Sequence, residues 1–254
     1  IAILDLLLAA AQGVKNYGLE MGETLHLIQD AAAVKACKEL CQEYLSIKGY
    51  HDVFTPVTLL HWMGAWPQDE AQAASLVSYG GTLAAISGAT SVTTKTLHEA
   101  FGIPTPKINA DGLRMTRMAI YLARNIKLDS MPEFQSEVDL IKSEVRPIVN
   151  KVLEMGDGDV ALGSVRAFEA GILDIPWSPN KWVKSKVMPA RDVDGCLRIL
   201  DPGNMPFSKE VMEFHTEKLR LRAKKEKQPF DINLAVSSVY EMSESMETLL
   251  SDKW

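Results

Sequence analysis

Two segments rich in β-branched and apolar residues, Val53–Leu60 and Ser91–Thr96, constrain this chain most, because about 30 residues of helical character separate them. Strands joined by a tight turn pair antiparallel, whereas a crossover of this length brings the second strand back parallel to the first. The interval Pro67–Ile86 reads as a helix of small residues, and Asn109–Asn125 follows the second strand as another helix. Upstream, Val14–Met21 leads through Gly22 into a helical pattern from Thr24 to Lys48. Leu27, Ile28, Ala31, Val34, Cys41 and Leu45 share its inner face, and Gly49 closes it. Strand, loop and helix thus recur three times, and the chain to about residue 126 reads as a run of β/α units.

Three units do not close a sheet on themselves. An open parallel sheet is one continuation; the C-terminal half of a TIM (β/α)8 barrel, with the other half upstream of Ile1, is the second. No G-x-G-x-x-G fingerprint follows a strand, which counts against a doubly wound dinucleotide fold. Ile1–Ala11 is already an apolar helical stretch, with Ile3, Leu4, Leu7, Leu8 and Ala11 on one stripe and no capping signal before it, so the half-barrel is the preferred reading and upstream sequence is expected.

Residues 127–254 read differently, as a mostly helical C-terminal extension. Glu133–Met155 carries Val138, Ile141, Val145, Ile148, Val149 and Val152 at helical spacing, with Pro147 predicting a kink or break. Val165–Ala170 is a short helix, Gly171–Lys186 a loop, and Cys196–Leu200 a strand before the turn Asp201–Asn204. Ser208 caps a helix to about Glu226. Asp231 caps a last one, with Ile232, Val236, Val239, Tyr240, Met246 and Leu250 as its buried stripe.

The chemistry of the whole excludes several classes. A net charge of −6 and a pI near 5.5 leave no concentrated basic face for nucleic acid, and the run Lys218–Lys227 reads as a solvated helix face. No apolar stretch reaches the roughly 20 residues that span a bilayer, and no secretory leader is visible, so a cytoplasmic protein is expected. Cys37, Cys41 and Cys196 read as reduced thiols; a pair four apart with no histidine nearby is a poor zinc site, and no metal is expected on this chain.

In β/α architectures the loops after the strands carry the chemistry. Here these are Gly22–Thr24, His61–Asp69 and Thr96–Thr105. Lys95 at the end of the third strand, with His98 and Glu99 within a turn of it, sets a cation, an imidazole and a carboxylate toward one pocket. A carboxylate accepts from two sugar hydroxyls and a lysine donates to the same sugar. On residue chemistry alone, a plain Lys–Glu ion pair is the favoured alternative. Trp62-Met63-Gly64-Ala65-Trp66 offers an apolar surface that suits a flat cofactor or core packing, and His61 alone is a weak signal.

At these loops the strings become specific. Trp62-Met63-Gly64 with Pro67-Gln68-Asp69-Glu70, then Lys95-Thr96, His98-Glu99-Ala100 and Gly102-Ile103-Pro104-Thr105, resemble the epsilon subunit of glutamate mutase (methylaspartate mutase). The resemblance continues, in the same order, through Ala167-Phe168-Glu169, Asp174-Ile175-Pro176, Pro189-Ala190-Arg191-Asp192, Gly203-Asn204 and Pro206-Phe207.

This resemblance implies a homodimeric TIM barrel on whose C-terminal face a separate small cobalamin-binding (sigma) subunit docks. It implies adenosylcobalamin as cofactor, and a radical interconversion of L-glutamate and 3-methylaspartate. By motif position, Lys95 and Glu99 correspond to contacts with the adenosyl ribose, and Met63, Trp62 and neighbouring residues to the pocket wall, with His98 beside them. The catalytic residues that grip the substrate are expected upstream of Ile1. The chain departs from the family pattern where Leu60-His61 stands in place of His-Gln, Ala65-Trp66 in place of Gly-Phe and Leu97 in place of a proline. On a strand the moved histidine would face the other way. These departures leave open a homologue that keeps the fold and the subunit interface without turnover; an unrelated β/α enzyme is the third reading.

Overall fold

The computed structural model describes residues 1–239. In chain order the first elements are α1 (Ala2–Ala11), β1 (Leu19–Gly22), α2 (Leu27–Ile47), β2 (Val57–Leu60), α3 (Glu70–Ser87), β3 (Ser91–Thr93) and α4 (Pro106–Ala123). They are followed by α5 (Pro132–Met155), α6 (Val160–Ala170), β4 (Met188–Arg191), β5 (Leu197–Asp201) and α7 (Lys209–Glu226). Among the described residues two compact units emerge: Gly13–Asp139, and Ile1–Gln12 with residues 140–239.

The first unit is α/β. Its strands form a parallel sheet in the order β1-β2-β3, with Leu19 opposite Val57 and Leu59 opposite Val92. The segments Val53–Leu60 and Ser91–Thr96 therefore hold adjacent parallel strands, β2 and β3, each shorter than expected, and each strand is followed by a helix. Leu19, Val57 and Leu59 are buried on one face of the sheet, while Glu20 and Ser91 on the other are exposed. Among the described residues the sheet is open at both edges, and no barrel closes.

Local chemistry explains the helix starts. Asp69 Oδ1 accepts from the Gln72 N–H at 2.9 Å, and Thr105 Oγ1 from Ile108 N–H at 3.4 Å ahead of Pro106 in the first turn. The helix expected from Thr24 begins later, at Leu27, because His26 Nδ1 accepts from Gln29 N–H at 3.1 Å. Thr24 instead bonds Asp30, through its N–H at 2.9 Å and its hydroxyl at 2.6 Å. The strand expected to reach Lys95 ends at Thr93, so Lys95 lies in the loop.

In the second unit β4 and β5 pair antiparallel, and Ala190 packs with Leu219, Ala223, Leu234 and Ala235. Ser208 caps α7 through Val211 N–H at 3.3 Å, as expected. Other expectations are corrected. β4 falls where no strand was predicted, since Pro189 masks the pattern. α6 begins at Val160 rather than Val165, capped by Asp159. α5 runs unbroken through Pro147, whose missing N–H removes a single rung that the turns on either side tolerate. On α1, Leu6 and Ala10 are buried and Ala11 is exposed, which rotates the apolar stripe. Leu234 and Ala235 are the buried residues after Asp231, whereas Ile232, Val236 and Val239 are exposed; Tyr240, Met246 and Leu250 lie outside the described residues. Cys37 is half-buried, Cys41 and Cys196 are buried, and all three are free thiols.

Candidate functional site

The C-terminal ends of β1, β2 and β3 lie side by side, and the chain leaves them at Glu23, His61 and Thr94-Lys95. The Glu23 N–H donates to Leu60 O at 3.2 Å and the His61 N–H to Thr93 O at 3.3 Å, so the parallel ladder continues one step past the strands. Beyond them, Lys95 Nζ and Glu99 Oε1 form an ion pair, held by the turn in which Glu99 N–H donates to Thr96 O at 3.2 Å. The Lys95 and Glu99 side chains retain 19% and 31% of their exposure, so the pair is sheltered yet reachable. A single 3-10 turn, Glu99–Phe101, presents the carboxylate. Behind it, α4 approaches closely at Gly112, where a Cβ would stand 2.8 Å from Lys95 O.

The remaining expected site residues divide. Met63 is 65% exposed at the rim. Trp62 donates from its indole N–H to Ala65 O at 3.1 Å, and its ring lies over Gly64, where a Cβ would come within 2.2 Å of it. Trp66 in turn donates to Trp62 O at 2.8 Å, so the second loop is folded on itself. His98 does not join the Lys95–Glu99 pair. Its Nε2 lies 3.7 Å from Glu70 Oε1 and its ring stands edge-on to Phe101, with 5.6 Å between ring centroids.

His61 continues the alternation of Val57 and Leu59 and turns toward α3, with only 1% of its surface exposed. Its Nδ1 accepts from the Lys95 N–H at 3.3 Å. Burial, with the Lys95 cation nearby, pushes its pKa down to about 4, so it is neutral at pH 7.

Glu23, 6% exposed, is the residue that sequence reasoning passes over. Its Oε2 accepts from Trp62 N–H at 3.1 Å, and burial raises its pKa to about 8, against the Trp62 bond and aided by the Asp30 charge. Glu23 Oε1 and His61 Nε2 are both buried without hydrogen-bond partners. Both crowd the same point on α3: a Cβ on Gly80 would lie 2.5 Å from each. The sequence signal was a carboxylate directly after the glycine that ends β1. Among the described residues no group of histidine, cysteine and carboxylate side chains could hold a metal ion.

Chemically, the strand ends offer a cation and a carboxylate half open to solvent, an apolar rim, and a buried polar pair behind them. A family model described as "Methylaspartate mutase E chain (MutE)" matches residues 1–249. Among curated relatives, the "Glutamate mutase epsilon subunit" of Treponema denticola is 43% identical over 243 residues, covering 96% of this chain and 50% of its own length. Those of Desulfitobacterium hafniense and Escherichia coli O157:H7 are each 40% identical, covering 97% and 96% of this chain and 51% of their own length. The chain spans about half the length of the curated relatives it matches. Matched by that model over nearly all of its length, the chain belongs to the methylaspartate mutase E chain family.

Proposed function

We propose that the chain is the C-terminal part of the large subunit of an adenosylcobalamin-dependent isomerase that interconverts L-glutamate and 3-methylaspartate. In this reading residues 1–126 are the last β/α units of a TIM (β/α)8 barrel and residues 127–254 its helical extension. Two features support it. The strand order runs in sequence without reversal, as in a barrel wall, where a doubly wound sheet reverses direction. One sheet face, with Glu20 and Ser91, stays open on the side where the other half of a barrel would stand.

The observation that carries the functional reading is the Lys95–Glu99 pair beyond β3, at the end of the sheet where such folds work. It fits a sugar diol. Glu99 accepts from two hydroxyls while Lys95 donates to a sugar oxygen, and both are half-sheltered. When bound, adenosylcobalamin supplies the carbon radical that removes a substrate hydrogen. This chain's own residues aim the sugar that carries the reacting carbon, and Met63 and Trp62 wall it from water. The substrate-gripping residues, the other barrel half, the small sigma subunit that holds most of the cofactor, and a second large subunit complete the assembly, which is cytoplasmic in this reading. No described helix is long and apolar enough to cross a membrane.

The test is Glu99→Gln in the complete assembly, comparing turnover with melting temperature. The substitution keeps the shape and weakens acceptance from hydroxyls, so turnover should fall by about 10-fold or more while stability changes by about 0 to 1 kcal/mol. Unchanged turnover would reject the assignment. It would favour the second reading, a homologue that keeps the fold without activity, for which the inward turn of His61 and the self-packed Trp62 loop speak.

A further inference from the structure

A backbone N–H that donates to an imidazole nitrogen settles where the ring's own proton must be. With Lys95 N–H on Nδ1, the neutral His61 ring carries its proton on Nε2. That Nε2–H is buried and faces the region over Gly80 that Glu23 Oε1 shares. Glu23 is itself fixed from its other oxygen by the Trp62 N–H. The end of β2 is thereby tied to the loop after β3 through His61, and the end of β1 to the loop after β2 through Glu23, two side chains with almost no solvent contact.

We infer that His61 is a positioning residue for the Lys95–Glu99 pair, its tautomer set by the Lys95 N–H on Nδ1. The function assigned to it rests on the reading of Lys95 and Glu99 as ribose contacts. The clamp itself does not. His61 touches neither sugar nor substrate in this arrangement; it fixes the backbone from which Lys95 reaches out. Gly80 makes the arrangement possible, because any Cβ there would overlap both His61 and Glu23. Position 61 also needs an acceptor rather than an imidazole as such, so glutamine should replace histidine and leucine should not.

The experiment uses the full 254-residue chain with labelled nitrogen. Long-range proton–nitrogen correlation at pH 7 should show His61 protonated on Nε2 and bare on Nδ1. The Lys95 amide should exchange about 100-fold or more slower than an unprotected amide. In His61→Leu that protection should fall about 10-fold while the Val57 and Leu59 amides keep theirs; in His61→Gln it should return. Adenosine serves as the ligand probe. His61→Leu should weaken its Kd about fivefold or more, and His61→Gln should leave it within about twofold. A proton on Nδ1, a Lys95 amide exchanging at the unprotected rate, or a leucine variant with full protection would each overturn the inference. If the leucine variant does not fold, the parent's tautomer and amide rate with His61→Gln still decide. If adenosine fails to bind the parent, or Lys95→Ala binds it equally well, the ribose reading falls while the tautomer and the Lys95 amide still report on the clamp.

Discussion

A glutamate side chain in water gives up its proton near pH 4.5, whereas burial holds Glu23 protonated to about pH 8. Between those values the folded chain keeps a proton that the unfolded chain has released, so this residue's contribution to stability falls as pH rises through the window. Glu23→Gln removes the titration. Its stability relative to the parent should climb from pH 5 to pH 9, by at most about 5 kcal/mol, as read by chemical denaturation at the two values. His61 carries the opposite sign. Its pKa drops from 6.5 to about 4, so the unfolded chain binds the extra proton and stability is lost as pH falls from 6.5 toward 4. His61→Gln should flatten that acid limb and leave the alkaline one; a parent with flat stability over both windows would contradict both burial arguments.

At the scale of elements, the hairpin of β4 and β5 depends on a buried charge pair. Asp192 Oδ2 accepts from Arg198 Nε at 2.8 Å, and Asp192 Oδ1 accepts from the N–H groups of Asp194 and Cys196 at 2.9 and 3.0 Å. With the side chains 0% and 3% exposed, Asp192→Ala removes a buried charge partner of Arg198 and should destabilise by about 3 to 5 kcal/mol in denaturant titration, whereas breaking an exposed pair such as Lys15–Asp52 should change stability far less. Neither the pair nor β4 was readable from the sequence, because a charge pair six residues apart has no periodic signature and Pro189 interrupts the strand pattern. The parallel units were readable. Val53–Leu60 and Ser91–Thr96, which hold β2 and β3, declare themselves by β-branched residues and Ser208 by capping chemistry, whereas the caps Asp69 and Thr105 were passed over and their helices expected from Pro67 and Asn109. The site was readable only in part: Lys95 and Glu99 meet one turn apart along the chain, whereas Glu23 and His61 meet through sheet register, and no single segment records register.

For the molecule as a whole, the question is what this chain holds alone. A protein that takes cobalamin through a histidine must present an imidazole free to reach cobalt, oriented by a hydrogen-bonded partner. In the proposed reading the small subunit supplies that imidazole from an Asp-x-His-x-x-Gly signature, and this chain has no such string. The five histidines offer little in its place. His61 and His215 are buried at 1% exposure, His26 is engaged as the cap of α2, and His51 lies on the exposed approach to β2. His98 alone stands at the strand-end face beside a carboxylate, Glu70, 3.7 Å away, and Phe101 packs on its ring edge. Titrating adenosylcobalamin into the chain without a partner subunit should therefore leave the cofactor's spectrum unchanged, and adding the small subunit should produce the histidine-ligated form. A histidine-ligated spectrum from this chain alone would show that the division of labour between subunits is wrong. Its loss in His98→Ala would then identify the ligand, and its survival would point to an imidazole exposed by opening of the fold.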